Sequence, residues 1–302
     1  MYYFAALLSG VVVAVMLLVN GRLNDSYGIY VATVIIHITG LIAISLPLFD
    51  KKNRPWRHER LPLYVYSGGA IGVATTLFNI WSFELISLTA ITGLGLLGQA
   101  ISSIVIDHFG LGGMRVCPFN KRKIGGIACI VLGIVFIMGF DAQAQTRSGA
   151  LRILGALLAL AGGVTVVVSR IVNGKLAHQI GLHGSTFYNY VVGLGCALLI
   201  AVIHFATQGS GNWPPQPPHA WVFTGGLLGV AVVLLSNFVV RKISSLSMTA
   251  LAFVGQVFAG MLLDYVLSGV FSLGSLLGGL AVVAGLFINA RADQLCPVPE
   301  ME

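Results

Sequence analysis

The sequence predicts an all-α polytopic membrane protein: ten transmembrane helices arranged as two five-helix halves of opposite topology. Three observations predict it. First, of 302 residues 57% are hydrophobic, and only 17 Lys and Arg and 10 Asp and Glu carry a formal charge. A soluble chain of this length would carry roughly a quarter, about 75. The deficit leaves too little polarity to solvate a globular surface or to build a basic face for nucleic acid. Second, apolar stretches of about 20 residues, the length that crosses a bilayer, follow one another with short connections. Third, the second half of the chain repeats the first in register.

The spans read as 3–20, 28–49, 62–82, 87–107, 124–140, 151–170, 182–205, 220–239, 245–265 and 273–290. The first lacks a basic leader and a small-residue cleavage site, so it reads as a retained helix and not a signal peptide. Asn20-Gly21 ends it, and Asn173-Gly174 follows the sixth span in the same way. Both pairs read as helix C-terminal turns, where Asn and Gly tolerate left-handed geometry.

Orientation follows from Lys and Arg. With both termini in the cytoplasm, the inner side holds those of 51–60 and 115–123, together with Arg170, Lys175, Arg241, Lys242 and Arg291, 14 in all. The outer side holds 3: Arg22, Arg147 and Arg152. This is the bias of the positive-inside rule, so the net charge of +7 reads as topology, and the inner clusters as contacts to anionic lipid. Cys129 and Cys196 fall inside spans, and Cys117 and Cys296 on the cytoplasmic side. Without CxxC or His-rich spacing they suggest neither zinc nor a structural disulfide, and no cofactor or metal is expected.

The repeat is specific. Val19-Asn20-Gly21-Arg22-Leu23 recurs as Val172-Asn173-Gly174-Lys175-Leu176, and the same offset of 153 carries Gly28 to Gly181, Thr33 to Thr186 and Gly40 to Gly193. Ser67-Gly68-Gly69-Ala70-Ile71-Gly72-Val73 recurs as Thr224-Gly225-Gly226-Leu227-Leu228-Gly229-Val230, at an offset of 157 that also carries Gly98-Gln99 to Gly255-Gln256 and Asp107 to Asp264. The step matches a stiff proline-rich segment, 213–218, present only in the second half. The halves are 1–145 and 146–302. Five spans per half is an odd number, so the second half enters from the opposite side, as in secondary transporters built from inverted repeats. Glu84 mapping to Arg241 fits a residue that changed sign with its side of the membrane.

Two five-span halves resemble the drug/metabolite transporter superfamily, with its EamA-like fold. Asn-Gly-Arg/Lys-Leu at the end of each half's first span resembles the YdcZ-like branch, as does Gly-Gln followed by Ile106-Asp107-His108-Phe109-Gly110. Single five-span halves that pair occur in that branch, and this chain resembles a fused form. The resemblance implies solute export. The second half departs from the pattern, since Asp264-Tyr265-Val266-Leu267 lacks the His and the Phe-Gly.

Candidate residues are the polar groups left inside apolar spans, where a polar side chain needs a partner or a pathway. Gln99, Ser103 and Asp107 lie on one helical stripe, matched by Gln256, Gly260 and Asp264. The glutamines read either as helix–helix hydrogen-bonding groups or as cavity lining. His37 and Tyr190 occupy matched positions, each one turn after Thr33 or Thr186; they read as core donors or as substrate or proton ligands. Asn79 and Asn237, both on third spans, are further cavity candidates. Asp107 and Asp264, at helix ends, read as solvated or ion-paired ends or as gating and coupling groups. Arg22, with Asp25 near, reads as a neutralised charge or a gate contact, alongside Asn20 and Asn173. The glycine pairs Gly68-x3-Gly72, Gly225-x3-Gly229 and Gly274-x3-Gly278 read as close-approach surfaces.

The function expected is secondary transport, with export favoured, of a small organic metabolite or drug-like solute by alternating access. No acidic residue lies in the first span, so proton coupling would fall to Asp107, Asp264 or His37. The scarcity of cavity charge favours a neutral or zwitterionic solute. The rivals are a membrane enzyme acting on lipids and a non-transporting sensor or scaffold; neither finds a nucleophile, a metal cluster or a signalling domain to support it. The partners expected are a solute and the bilayer, with the chain a monomer or a homodimer and no nucleic acid.

Overall fold

The computed structural model describes residues 1–49, 61–83, 85–86, 88–113, 116, 118–139, 148–209, 219–240, 242–243, 245–268 and 273–294. Eight long helices carry these residues: α1 (Tyr2–Ser45), α2 (Gly68–Phe83), α3 (Leu88–Phe109), α4 (Arg122–Gly139), α5 (Gly149–Gln208), α6 (Gly225–Val239), α7 (Ser245–Ser268) and α8 (Leu273–Gln294). Single 3₁₀ turns at Leu63–Tyr66 and Ala220–Thr224 lead into α2 and α6. By length and hydropathy four stretches suffice to cross a membrane: Tyr2–Ser45, Ala90–Phe109, Gly149–Thr207 and Ala220–Val239. Lys123–Phe136, Ser247–Gly260 and Leu276–Asn289 form shorter apolar helices. Outward-facing Leu132, Val135, Leu199, Val202 and Leu262 are exposed, an apolar periphery suited to lipid and not to water.

Two helices are broken. Gly28 interrupts α1 (φ 73°, ψ 165°) and Gly181 interrupts α5 (φ 84°, ψ 165°), a backbone region essentially confined to glycine. In α5 the break is a reversal. Ser185 Oγ donates to the Asn173 carbonyl at 2.7 Å, although twelve residues of straight helix would hold them about 18 Å apart. The limbs of each broken helix are therefore 2–27 and 29–45, and 149–180 and 182–208.

Here the structure corrects the sequence reading. Asn20-Gly21 and Asn173-Gly174 are not helix ends, because both pairs continue as helix and the chain turns two turns later, at Gly28 and Gly181. The physical reason is that neither pair adopts positive φ, while Gly28 and Gly181 do. Charges assigned to connections move with this shift. Arg170 lies within the first limb of α5, and Lys123, expected to meet anionic lipid, is fully buried.

The halves of the chain interlock. α1 packs on α6 and α7, α5 packs on α2 and α3, α4 packs on α8, and α3 meets α7. The largest core cluster accordingly mixes Ile86, Leu94, Ile104 and Ile130 with Ala159, Phe253, Val282 and Leu286. Glycines set the closest crossings. A Cβ on Gly10 would strike the Ala252 carbonyl, and one on Gly163 the Gly95 carbonyl. A Cβ on Gly255 would strike the Leu7 carbonyl, and one on Gly98 that of Leu160. Each contact has a counterpart at the offsets of 153 and 157 read from the sequence. Small residues let backbones approach this closely, which is what drives helix association in lipid.

Candidate functional site

The second limb of α1 brings His37 against the second limb of α5. His37 and Tyr190 are 8% and 4% exposed, with ring centroids 5.7 Å apart. Each ring occupies space left by a glycine: His37 lies over Gly193, and Tyr190 over Gly40. His37 Nδ1 is 2.8 Å from the Thr33 carbonyl, so that nitrogen carries the proton and donates. The Tyr190 hydroxyl donates to the Gly226 carbonyl on α6 at 3.2 Å. The predicted pair thus forms one contact at the junction of α1, α5 and α6.

Gln99 belongs to a second polar cluster, joining α3, α5 and α7. Arg170 Nη2 donates to Gln99 Oε1 at 3.4 Å, and Nη1 to Thr249 Oγ1 at 3.3 Å. The Thr249 and Ser103 hydroxyls lie 3.3 Å apart, and Ser245 Oγ donates to Ser103 Oγ at 3.1 Å. The stripe expected from helical spacing therefore faces α7 and α5. Gln256 lies half-buried on α7, its backbone against Gly10; the contacts that tie Gln99 to Arg170 do not extend to it.

A third network runs on from Arg170 along α5. Ser169 Oγ donates to the Gly68 carbonyl at 2.9 Å, Asn173 Nδ2 donates to Asn189 Oδ1 at 2.8 Å, and the Asn173 carbonyl accepts from Ser185. Asn237 Nδ2 reaches Ser185 Oγ at 3.5 Å and Thr186 Oγ1 at 3.4 Å. Asn20, the counterpart of Asn173, packs on Gly225 as Asn173 packs on Gly68. Its Oδ1 is nevertheless buried without a hydrogen bond. Asn79 borders Gly162, its Oδ1 placed 2.8 Å from where a Cβ there would sit.

Other predicted residues are not brought in. Arg22 and Asp25 form an exposed pair at 3.9 Å. Asp107 is only 1% exposed, which removes the solvated helix-end reading: it lies on the covered side of the last turn of α3, while Phe109 on the same turn is exposed. The side chain of Asp264 lies outside the described residues, as do Glu84 and Arg241 entirely.

Arg170 is the residue that sequence reasoning missed. It was placed in a connection because the apolar stretch before it is already of crossing length. The signal was that Ile171-Val172 resume the helical run and that its counterpart 153 residues earlier is Leu17. A charge present in only one copy of a repeat marks a place where the two copies differ in use.

A family model described as "Putative inner membrane exporter, YdcZ" matches residues 1–136 and again 154–288. Among solved structures 27 chains match. One, titled "Crystal structure of protein", has a TM-score of 0.68 at 19% identity, covering 97% of this chain and 96% of its own. No curated protein matches.

Proposed function

The chain belongs to the YdcZ family of inner membrane exporters, within the drug/metabolite transporter superfamily, and from that premise we propose that it exports a small organic solute by alternating access. In this reading the ten limbs of the eight helices are ten membrane crossings, with both termini cytoplasmic, the orientation that the distribution of Lys and Arg favours. Residues 1–145 and 146–302 are inverted repeats.

The observation that carries the proposal is the exchange of packing between halves. The broken helix of each half rests on two helices of the other, across crossings where glycine backbones touch. Two near-equivalent sets of contacts allow one set to close on one side of the membrane as the other opens on the opposite side. The polar groups lie along this shared seam. His37, Tyr190, Gln99 and Gln256 form the core of the solute path, and Asn79 and Asn237 flank it. Asp107, Asp264, Arg22, Asn20 and Asn173 serve gating and coupling; protons, where coupled, are carried by Asp107, Asp264 or His37.

The test is flux in proteoliposomes, using a solute chosen by thermal-stability screening of the purified protein against metabolites and drugs. Gln99→Leu and Gln256→Leu, singly and together, are expected to abolish flux while leaving expression and folding intact. Wild-type flux in the double variant would refute the assignment.

A further inference from the structure

Arg170 places a fixed positive charge inside the polar seam, and its surroundings leave that charge unanswered. The guanidinium presents five N–H donors in a planar fork. Its two hydrogen bonds, 3.4 Å to Gln99 Oε1 and 3.3 Å to Thr249 Oγ1, go to neutral acceptors. Charge-assisted bonds to an oxyanion are shorter, about 2.7–2.9 Å. A cation held in a hydrocarbon-embedded bundle is costly unless an anion or a dense hydrogen-bond shell compensates it, and it marks a functional path by default.

The neighbours suit an incoming anion. The hydroxyls of Thr249, Ser103 and Ser245 form a chain beside the guanidinium, and each can turn to donate. Thr249, Ser103 and Ser245 are fully buried, and the guanidinium commits one N–H to Gln99 and one to Thr249, so that further donors of its fork remain for an anion. The position joins three helices drawn from both halves of the chain. Structural glue alone would not need a charge here. The matched position in the first half carries Leu17 and packs without one.

We propose that Arg170 anchors the anionic group of the transported solute, so that the substrates are small organic oxyanions, carboxylates or phosphate monoesters, held by the guanidinium fork with Thr249 and Ser103 as secondary donors. This rests on the exporter reading and names its substrate class. It reverses the neutral or zwitterionic solute expected from composition, because the charge that decides the matter had been placed outside the membrane.

The test uses the full-length purified protein and a panel of aliphatic and aromatic monocarboxylates, each matched with its uncharged amide and with a phosphate monoester. Thermal stabilisation is expected from anions and not from their amides. In Arg170→Gln the anion affinity falls at least about tenfold, the loss of one charge-assisted contact, and Arg170→Lys restores part of it, since the charge remains but the fork is lost. Gln99→Glu guards against a variant that merely misfolds. A carboxylate placed against Arg170 is expected to raise the melting temperature of the ligand-free protein and to abolish the response to anions. Equal stabilisation by acids and amides, an undiminished anion response in Arg170→Gln, or no response to any anion would overturn the proposal. So would stabilisation by phosphatidylglycerol vesicles alone, which would identify a lipid headgroup site. Flux separates the two readings. Transport of a neutral compound unaffected by Arg170→Gln leaves the exporter standing without this site, whereas Arg170-dependent anion binding without flux of any compound leaves the site standing without the exporter.

Discussion

The position of the break in α1 gives a sharp test, because two glycines seven residues apart are predicted to respond in opposite directions. Gly28 has φ 73° and ψ 165°, and a Cβ built there meets nothing within 4 Å. The cost of Gly28→Ala is therefore backbone strain alone, about 1–3 kcal/mol. Gly21 lies in regular helix, and its Cβ also meets nothing within 4 Å. Gly21→Ala should stabilise by about 0.5–1 kcal/mol through helix propensity. The two variants are thus separated by about 1.5–4 kcal/mol, and at about 2 °C per kcal/mol for a chain of this size by about 3–8 °C. The assay is the temperature at which half of the monodisperse protein is lost on heating in detergent. Because heating of such proteins is rarely reversible, the order of the variants is the result that matters. If Asn20-Gly21 were the turn, Gly21→Ala would be the damaging change and Gly28→Ala the silent one; that order would refute the assignment. Gly181→Ala should repeat the loss at Gly28. Gly174→Ala should not repeat the gain at Gly21, since its Cβ would press on the Val240 side chain.

Two further contrasts follow from matched positions. Asn173→Ala removes hydrogen bonds to Asn189 and Ser169 and should cost about 2 kcal/mol, read as a lower half-loss temperature. Asn20→Ala, whose Oδ1 is buried without a bond, should change stability by less than about 0.5 kcal/mol; equal losses at both sites would contradict the asymmetry. Gly163→Leu drives a side chain into the Gly95 backbone and should abolish monodisperse protein, whereas Gly260→Leu enters open space and should be recovered at wild-type yield.

Much of the fold was readable because hydrocarbon removes alternatives: a span must be helical and apolar, and the periodic loss of charge marks each one. Helix boundaries were less readable, for a physical reason visible at Asn20 and Asn173. A polar residue beside glycine signals a helix end in water, where the freed backbone is solvated. Within a bundle the same residues instead pack against a facing glycine, Gly225 or Gly68, and the helix runs on. That error propagated to Arg170, which hydropathy assigned to a loop once the preceding stretch had reached crossing length. Pairing of His37 with Tyr190 could be anticipated as a shared depth in the repeat, but not as ring contact. Contact depends on Gly40 and Gly193 emptying the space each ring fills, a relation between limbs that no local pattern carries.

The frame and the polar groups obey different symmetries, and the difference bears on mechanism. Backbone crossings are matched pair by pair: Gly10 with Gly163, Gly98 with Gly255, Gly69 with Gly226. The side chains that line the seam are not. Ser169, Arg170, Ser185 and Asn189 correspond to Met16, Leu17, Ala32 and Ile36, so these polar groups of α5 have no polar counterpart on α1. A device that only alternates between two faces needs the matched crossings. A device that also releases its cargo preferentially on one side needs its binding groups to be carried by one half, so that they travel with that half as it moves. In the exporter proposed above, Ser169, Arg170, Ser185 and Asn189, all on α5, would supply that asymmetry, while the matched glycine crossings would keep the two conformations close in energy.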